Sequence, residues 1–579
     1  MSARSFKGTA TVVLVAMLGT LLAGCAAPAT PQIVEKIVEK PVVQTVVVET
    51  EKVVEKSVVQ TVVVETEKVV EKVVEKEVGA TRGGVVEIGL NREPDSLDPH
   101  VSSSRYDGHV EWVVYQGLAC LHPEKLTYEP SLATSWEQAA DGKSLVVKLR
   151  EGIKFHDGTD FNAEAVKINI ERIMNPDTKS ENSVFAQGPL ESVEVVDNYT
   201  VKFTYSEPFG QIGAALAAAW MISPAAIQEH GQALYNHMVG TGPFKFVEWE
   251  ARSHVTVERF EEYVPDACDT HEGPAYLEKV TWRFIPENST RMAALQAGQV
   301  DMVRSIPADQ WNIWAGNPNF KTAKTPQGGI GSAIMLNTTK PPTDDLRVRQ
   351  ALNYMLDRKQ IILGYYAGIN SPQPGPLSPF TLGYEPKSEL YPFDPEKGLA
   401  LLEEAGWKIN EATGKMENAA GEQMKFEFLI LTSAQDMAVV TKGLLEEYGI
   451  ACDIIAEDNP AQQQHGQQGL YHFVGMFWSS LMPTLAIQLF SCENVGSGWN
   501  FGQYCSEETE ELFNKSKTEI DFDKSIDLLK QAQIKLAEDA AVFPIAVAEV
   551  LWAMEQDIMG FRTLGGEQVK LHDMYRILE

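Results

Sequence analysis

Residues 41–56 read PVVQTVVVETEKVVEK and residues 57–72 read SVVQTVVVETEKVVEK, a sixteen-residue repeat with one substitution. At about 100° per residue, a sixteen-residue step turns an α-helix by four turns plus roughly 160°, so equivalent valines fall on opposite faces. No single apolar stripe runs through both copies. Valine is also a mediocre helix former, and Pro41 interrupts from the N-terminal side. The repeat reads as an extended, fluctuating tether, with a short coiled-coil or β-type stalk as the alternative. Residues 26–82 reach at most ~190 Å fully extended and ~40 Å as a flexible coil. Gly79 and Gly83-Gly84 mark where the folded body begins. A body of about 495 residues is long enough for more than one hydrophobic core, and two lobes or more are expected.

Ahead of the repeat, Arg4 and Lys7 precede an apolar run from about Ala10 to Leu22, which ends in Leu22-Ala23-Gly24-Cys25. A basic start, a short apolar run and small residues at a cut site form a secretory signal peptide over 1–24, too short for a membrane span. The last four residues resemble the bacterial lipobox, which implies that the Cys25 thiol is diacylated and becomes the new N-terminus. One acyl chain binds a membrane only marginally, so several chains would hold such a protein there. The sequence therefore predicts a protein anchored by lipid to the outer face of the cytoplasmic membrane, periplasmic or extracellular, with 25–82 as its tether.

The chain carries a formal charge of −31, and loss of the leader removes Arg4 and Lys7 and leaves the remainder more acidic still. Such a surface repels nucleic acid and anionic head groups, which excludes both as main partners. Beyond Cys25 the five cysteines, Cys120, Cys268, Cys452, Cys492 and Cys505, show no zinc spacing. In an oxidising compartment Cys492 and Cys505 form a candidate disulfide across a Gly- and Asn-rich loop, and small buried side chains are the alternative for all five.

Helical and strand patterns alternate along the body. Asn162 caps a stripe of Val166, Ile170 and Ile173, and Asp394-Pro395-Glu396 starts a helix that Gly406 stops. Val348, Leu352 and Met355 form another stripe, as do Leu529, Ala532 and Leu536. Strand-like runs lie at 145–149, 201–205, 255–259, 426–431 and 470–478. The fold class is mixed α/β. No GxSxG, HExxH or GxxxxGK[ST] motif is present, so no catalytic constellation, cofactor or metal is expected. His156-Asp157-Gly158 reads as a turn, and His465 and His472 read as solvated loop histidines.

Eight blocks in order carry a family resemblance. They begin with Gly89-Leu90-Asn91-Arg92-Glu93-Pro94-Asp95-Ser96-Leu97-Asp98-Pro99, Tyr115-Gln116-Gly117-Leu118, and Pro130-Ser131-Leu132-Ala133 through Trp136. Leu149-Arg150-Glu151-Gly152-Ile153-Lys154-Phe155-His156-Asp157-Gly158 follows, then Gly240-Thr241-Gly242-Pro243-Phe244. Arg291 to Gly298 with Asp301, Asn337 to Pro342, and Arg347 to Leu352 complete the series. The chain resembles the family 5 extracellular solute-binding proteins, the peptide, nickel and oligopeptide receptors of ABC importers.

The resemblance implies a large bilobed binding protein with two α/β lobes around a central cleft, two chain crossings and an extra inserted domain. Lobe I would comprise 84–120, 205–333 and 545–579, the insert 121–204, and lobe II 334–544. A monomer would capture a small solute, a peptide or an oligosaccharide, and deliver it to permease subunits; a cell-surface sensor or scaffold on the same fold is the alternative. Candidate ligand contacts are Tyr115, the Thr241-Gly242 turn, Trp478, Trp499 and Asn500. Peptide-binding members carry an acid shortly after a tryptophan, whereas Trp478 is followed here by Ser479, Ser480, Leu481 and Met482. An unpaired ammonium in a closed cleft is costly, which weighs against dipeptides and makes a neutral or differently charged ligand such as an oligosaccharide equally tenable.

Overall fold

A computed structural model describes residues 82–102, 105–180 and 187–578. The leader, Cys25 and the repeat lie outside the described residues. Among the described residues no helix is long and apolar enough to cross a membrane.

Three sheets organise residues 80–579, which form one compact unit. The first has seven strands, in the spatial order Phe320–Pro326, Glu549–Glu555, Met302–Arg304, Val85–Leu90, Lys279–Phe284, His254–Arg259 and Phe244–Glu250. Val85–Leu90 pairs in parallel with both Lys279–Phe284 and Met302–Arg304. Val86, Ile88, Val280 and Trp282 feed one core on this sheet, and Val303, Leu551 and Ala553 feed a second. The second sheet has five strands, Ala451–Glu457, Lys425–Leu431, Phe473–Trp478, Gly331–Leu336 and Val542–Ala546, with a core on each face. A strand buried on both faces reads as a nearly continuous apolar run, as in FEFLIL and FVGMFW. We call the parts built on these sheets the first and second lobes.

The third sheet, Ala133–Gln138, Ser144–Leu149, Thr200–Tyr205 and Leu190–Asp197, is wholly antiparallel and packs its own core with helix Ala163–Met174. Asn162 caps that helix by accepting from the Ala165 amide at 3.0 Å, and its apolar stripe of Val166, Ile170 and Ile173 is buried. On the opposite face Arg172 reaches Asp98 of the first lobe at 3.0 Å. The segment that follows strand Thr200–Tyr205 touches the second lobe. Gly210 donates its amide to Lys517 at 3.3 Å, and a Cβ at this position would lie 1.7 Å from the Glu519 carbonyl, so only glycine permits the approach.

The chain passes between the main sheets at 327–330 and at 547–548. Gly331–Leu336 already belongs to the second sheet, ahead of the expected change at 334, and Val542–Ala546 still belongs to it just past the expected change at 545. Gln327 donates its amide to the Ala548 carbonyl at 2.8 Å, which bonds the two crossings to each other.

The other helices follow their sequence signals. Asp394 accepts from Lys397 at 3.0 Å to cap Pro395–Glu404. Asp345 caps Leu346–Met355, and the stripe of Leu529, Ala532 and Leu536 lies on Phe522–Glu538. The expected strand at 470–478 begins only at Phe473, because Gly469 takes a positive φ of 63° that ends the preceding helix. Among the described residues there are two disulfides, Cys492–Cys505 and Cys120–Cys268, the second spanning 148 residues, and Cys452 is a buried free thiol.

Candidate functional site: a cleft between carboxyl-terminal strand edges

The registers fix where the lobes face each other. In the first lobe the parallel strands end at Leu90, Phe284 and Arg304. Arg304 lies opposite Trp552, and Ala323 lies opposite that same residue, so Pro326 and the crossing after it leave from the edge that carries Arg304. In the second lobe the parallel strands end at Leu431, Glu457 and Trp478, and Gly331, the first residue after the crossing, pairs with Trp478. Two carboxyl-terminal strand edges therefore confront each other across the 327–330 crossing, where open α/β sheets bind ligands.

The second-lobe wall is aromatic. Trp478 and Trp499 are half-buried and meet edge to face, with ring centroids 5.0 Å apart at 84°. Trp499 in turn packs on Phe501 at 5.6 Å. Such a pair offers a large apolar surface at little rotamer cost. The following residue, Ser479, donates its hydroxyl to the Gln327 side chain at 2.6 Å.

The first-lobe wall is polar and charged. Asn91 lies just past the first strand and donates to the Tyr106 hydroxyl at 3.3 Å, while the Arg304 guanidinium sits 5.5 Å from the same ring's centroid. Arg304 pairs with Glu567 at 3.2 Å, and the Gln327 amide donates to the same Glu567 oxygen. Neither Asn91 nor Arg304 is fully used: Asn91 Oδ1 and Arg304 Nε are buried without a hydrogen-bond partner among the described residues. No local pattern in the sequence marks these residues, because Arg304 on the seven-stranded sheet and Glu567 on a separate hairpin meet only in the folded chain.

Four expected contacts prove structural. Tyr115 is buried in the first lobe's core and donates its hydroxyl to the Leu97 carbonyl at 3.3 Å. Helix Arg105–Val114 starts near the cleft edge and runs back along the sheet, so its last turn lies about 15 Å from that edge. Thr241 and Gly242 sit at that remote end. The Gly242 amide is not free but donates to the Val114 carbonyl at 2.9 Å, and Thr241 is buried. Asn500 is fully buried as a loop clamp: its amide donates to the Ser491 and Tyr504 carbonyls, and its oxygen accepts from the Tyr504 amide.

The histidines are structural as well. His156 accepts from the Gly240 amide and faces the Gly242 carbonyl at 3.0 Å, while burial lowers its pKa to about 4. His472 is not a solvated loop residue; it is buried, accepts from the Glu427 amide at 3.1 Å and faces the Pro341 carbonyl. His465 pairs with Glu457 at 2.9 Å.

Two lobes with opposed strand edges and an aromatic wall define a bilobed receptor for a small solute. The family model described as "Bacterial extracellular solute-binding proteins, family 5 Middle" matches residues 127–497, and the chain belongs to that family. It is 31% identical over 501 residues to the Glutathione-binding protein GsiB of Pectobacterium atrosepticum, covering 84% of this chain and 92% of that protein. Among solved structures, NikA of Brucella suis in complex with Fe(III)-EDTA superposes with a TM-score of 0.76 at 22% identity, over 85% of this chain and all of the other. DppA of Helicobacter pylori in complex with the peptide STSA gives 0.69 at 23%, over 86% and 98%. The protein is thus a solute-binding protein of the ABC-importer type with the bilobed fold of that class.

Proposed function

We propose that this chain is the lipid-anchored receptor of an importer for short peptides of the glutathione kind, and that it hands its ligand to membrane permease subunits without chemical change. The observation that carries the reading is the confrontation of the Trp478–Trp499 pair with a charged edge at Arg304 and Glu567, where Asn91 Oδ1 and Arg304 Nε are buried without a hydrogen-bond partner among the described residues. An aromatic wall removes an apolar side chain or the thiol-bearing methylene of a cysteinyl residue from water, and a polar wall opposite fixes orientation. The similarity to a glutathione-binding protein over most of both chains supports the peptide over the oligosaccharide. The lobes are built on the two main sheets, the insert on the antiparallel one, and the protein acts as a monomer. A ligand touching both edges shifts the population toward the closed form that a permease would recognise.

Titration calorimetry of the ligand-stripped protein against glutathione, a tetrapeptide and a maltooligosaccharide tests the reading. A one-to-one heat with either peptide is expected, and binding of the sugar alone overturns it. For the anchor, Cys25→Ser should release the protein from the membrane fraction and remove acyl mass from the N-terminal peptide.

A further inference from the structure

The insert meets the second lobe at residues that belong to neither cleft wall. The second lobe offers the tip of the helical pair Glu507–Thr518 and Phe522–Glu538, whose Phe513, Leu529 and Leu536 lie in its core. Facing it stand the insert's turn at Gly142 and the segment after strand Thr200–Tyr205. Gln138 fastens these two together by donating its amide to the Gly142 and Phe209 carbonyls, at 3.1 and 2.7 Å, and Phe209 belongs to the insert's core. Across the boundary the Gly210 amide reaches Lys517, Gly142 faces Ile520, and Tyr128 meets Phe522 edge to face at 5.9 Å. Tyr128 also donates its hydroxyl to the sulfur of Met482, in the loop after Trp478.

The two faces fit closely. A Cβ at Gly210 would find as its three nearest atoms, from 1.7 to 3.6 Å, only Glu519 and Ile520, and one at Gly142 would lie 2.7 Å from an Ile520 methyl. What bonds them is weak: a backbone hydrogen bond at 3.3 Å, a ring edge and a thioether contact. Ile520 stays 39% exposed, and Tyr128, Met482 and Phe522 are half-buried. The insert's tie to the first lobe is of another kind, the Arg172–Asp98 ion pair, whose side chains are 13% and 4% exposed. The insert therefore travels with the first lobe, while its small, partly wet contact with the second is one that domain motion can open.

We propose that this surface is a latch on closure: the insert, carried by the first lobe, engages the helical tip as the second lobe swings in and biases the receptor toward its closed form before any solute enters. The inference goes beyond the ligand reading and needs only the bilobed receptor. Such a bias acts on every ligand by the same factor, because apparent affinity scales with the fraction of molecules already in the competent form. Tyr128, Gly142 and Gly210 are thus positioning residues, which act on the solute only through the angle between the lobes.

Two variants of the full chain test this. Gly210 does not take a positive φ, so Gly210→Ala is free of backbone strain and acts as a wedge against Glu519. Ile520→Ser trims the latch from the second lobe's side at a partly exposed position, and it carries the test alone should the first variant fail to fold. X-ray scattering of the ligand-free proteins should give each variant a larger radius of gyration than wild type, the tether contributing equally to all. In calorimetry the dissociation constants for glutathione and the tetrapeptide should rise together, by about three- to tenfold, with their ratio held within about twofold. Unchanged scattering and unchanged constants in both variants overturn the inference. So does a loss confined to one ligand, which would place the surface in recognition, and so does a lowered ligand-free melting temperature with unchanged scattering, which would make the contact a fixed part of the fold. The scattering needs no ligand, so if wild type binds neither peptide, the peptide reading falls while the scattering still decides the latch.

Discussion

Trp478 and His100 show how differently two buried or half-buried rings act. Trp478 ends its strand at the cleft, half-buried, packed against the second lobe's core and meeting Trp499 edge to face. Truncation to alanine removes a ligand-facing surface on the order of 1 to 3 kcal/mol, a ten- to hundredfold weaker dissociation constant. The expected signature is a nearly normal melting temperature without ligand and a diminished rise with glutathione. A collapse of the ligand-free melting temperature would instead place the ring in the core. His100 is 1% exposed, accepts from Arg172 at 2.7 Å and faces the Trp220 carbonyl at 2.8 Å. Burial, aided by the Arg172 charge and opposed by Asp98, lowers its pKa to about 4. Between pH 6.5 and 4 the unfolded chain binds a proton there that the folded chain refuses, so stability falls as pH drops through that window, by roughly 3 kcal/mol from this residue. His100→Gln keeps a donor and an acceptor without titrating. Urea melts at pH 7 and pH 4.5 should show a smaller acid loss for the variant than for wild type.

At the scale of elements, the helices were legible because caps and stripes are local. Asn162, Asp345 and Asp394 each bond within their own first turn. The cleft was legible only in part. Trp478 could be placed at a strand end from its sequence, but whether Tyr115 faces ligand depends on the direction of helix Arg105–Val114 along its sheet, which no local pattern encodes. Arg304, on a strand paired in parallel in the first sheet, and Glu567, in a separate antiparallel hairpin, lie far apart in sequence and meet only in the folded chain. The cysteines divide in the same way. Cys492–Cys505 was a candidate from proximity, whereas Cys120–Cys268 ties the Ala119–Leu121 strand to the loop before Leu277 and left no sequence trace. Chain entropy assigns about 5 kcal/mol to the 148-residue separation and about 3 kcal/mol to the 13-residue one. Replacing Cys120 and Cys268 by serine should therefore lower the urea midpoint further than replacing Cys492 and Cys505.

For the whole molecule, binding should reside in the body alone. Deleting residues 31–78 is expected to leave the glutathione dissociation constant within about twofold in calorimetry, since both cleft walls lie beyond residue 82. A large loss would mean that the tether packs on the lobes. The two crossings have a broader consequence. Because they run side by side and Gln327 bonds directly to Ala548, they behave as a single pin. Such a pin bends about one line and resists both sliding and twisting of the parts it joins. The lobes then have in effect one coordinate, an angle, and a downstream partner needs to sense only that angle to know whether the receptor is loaded.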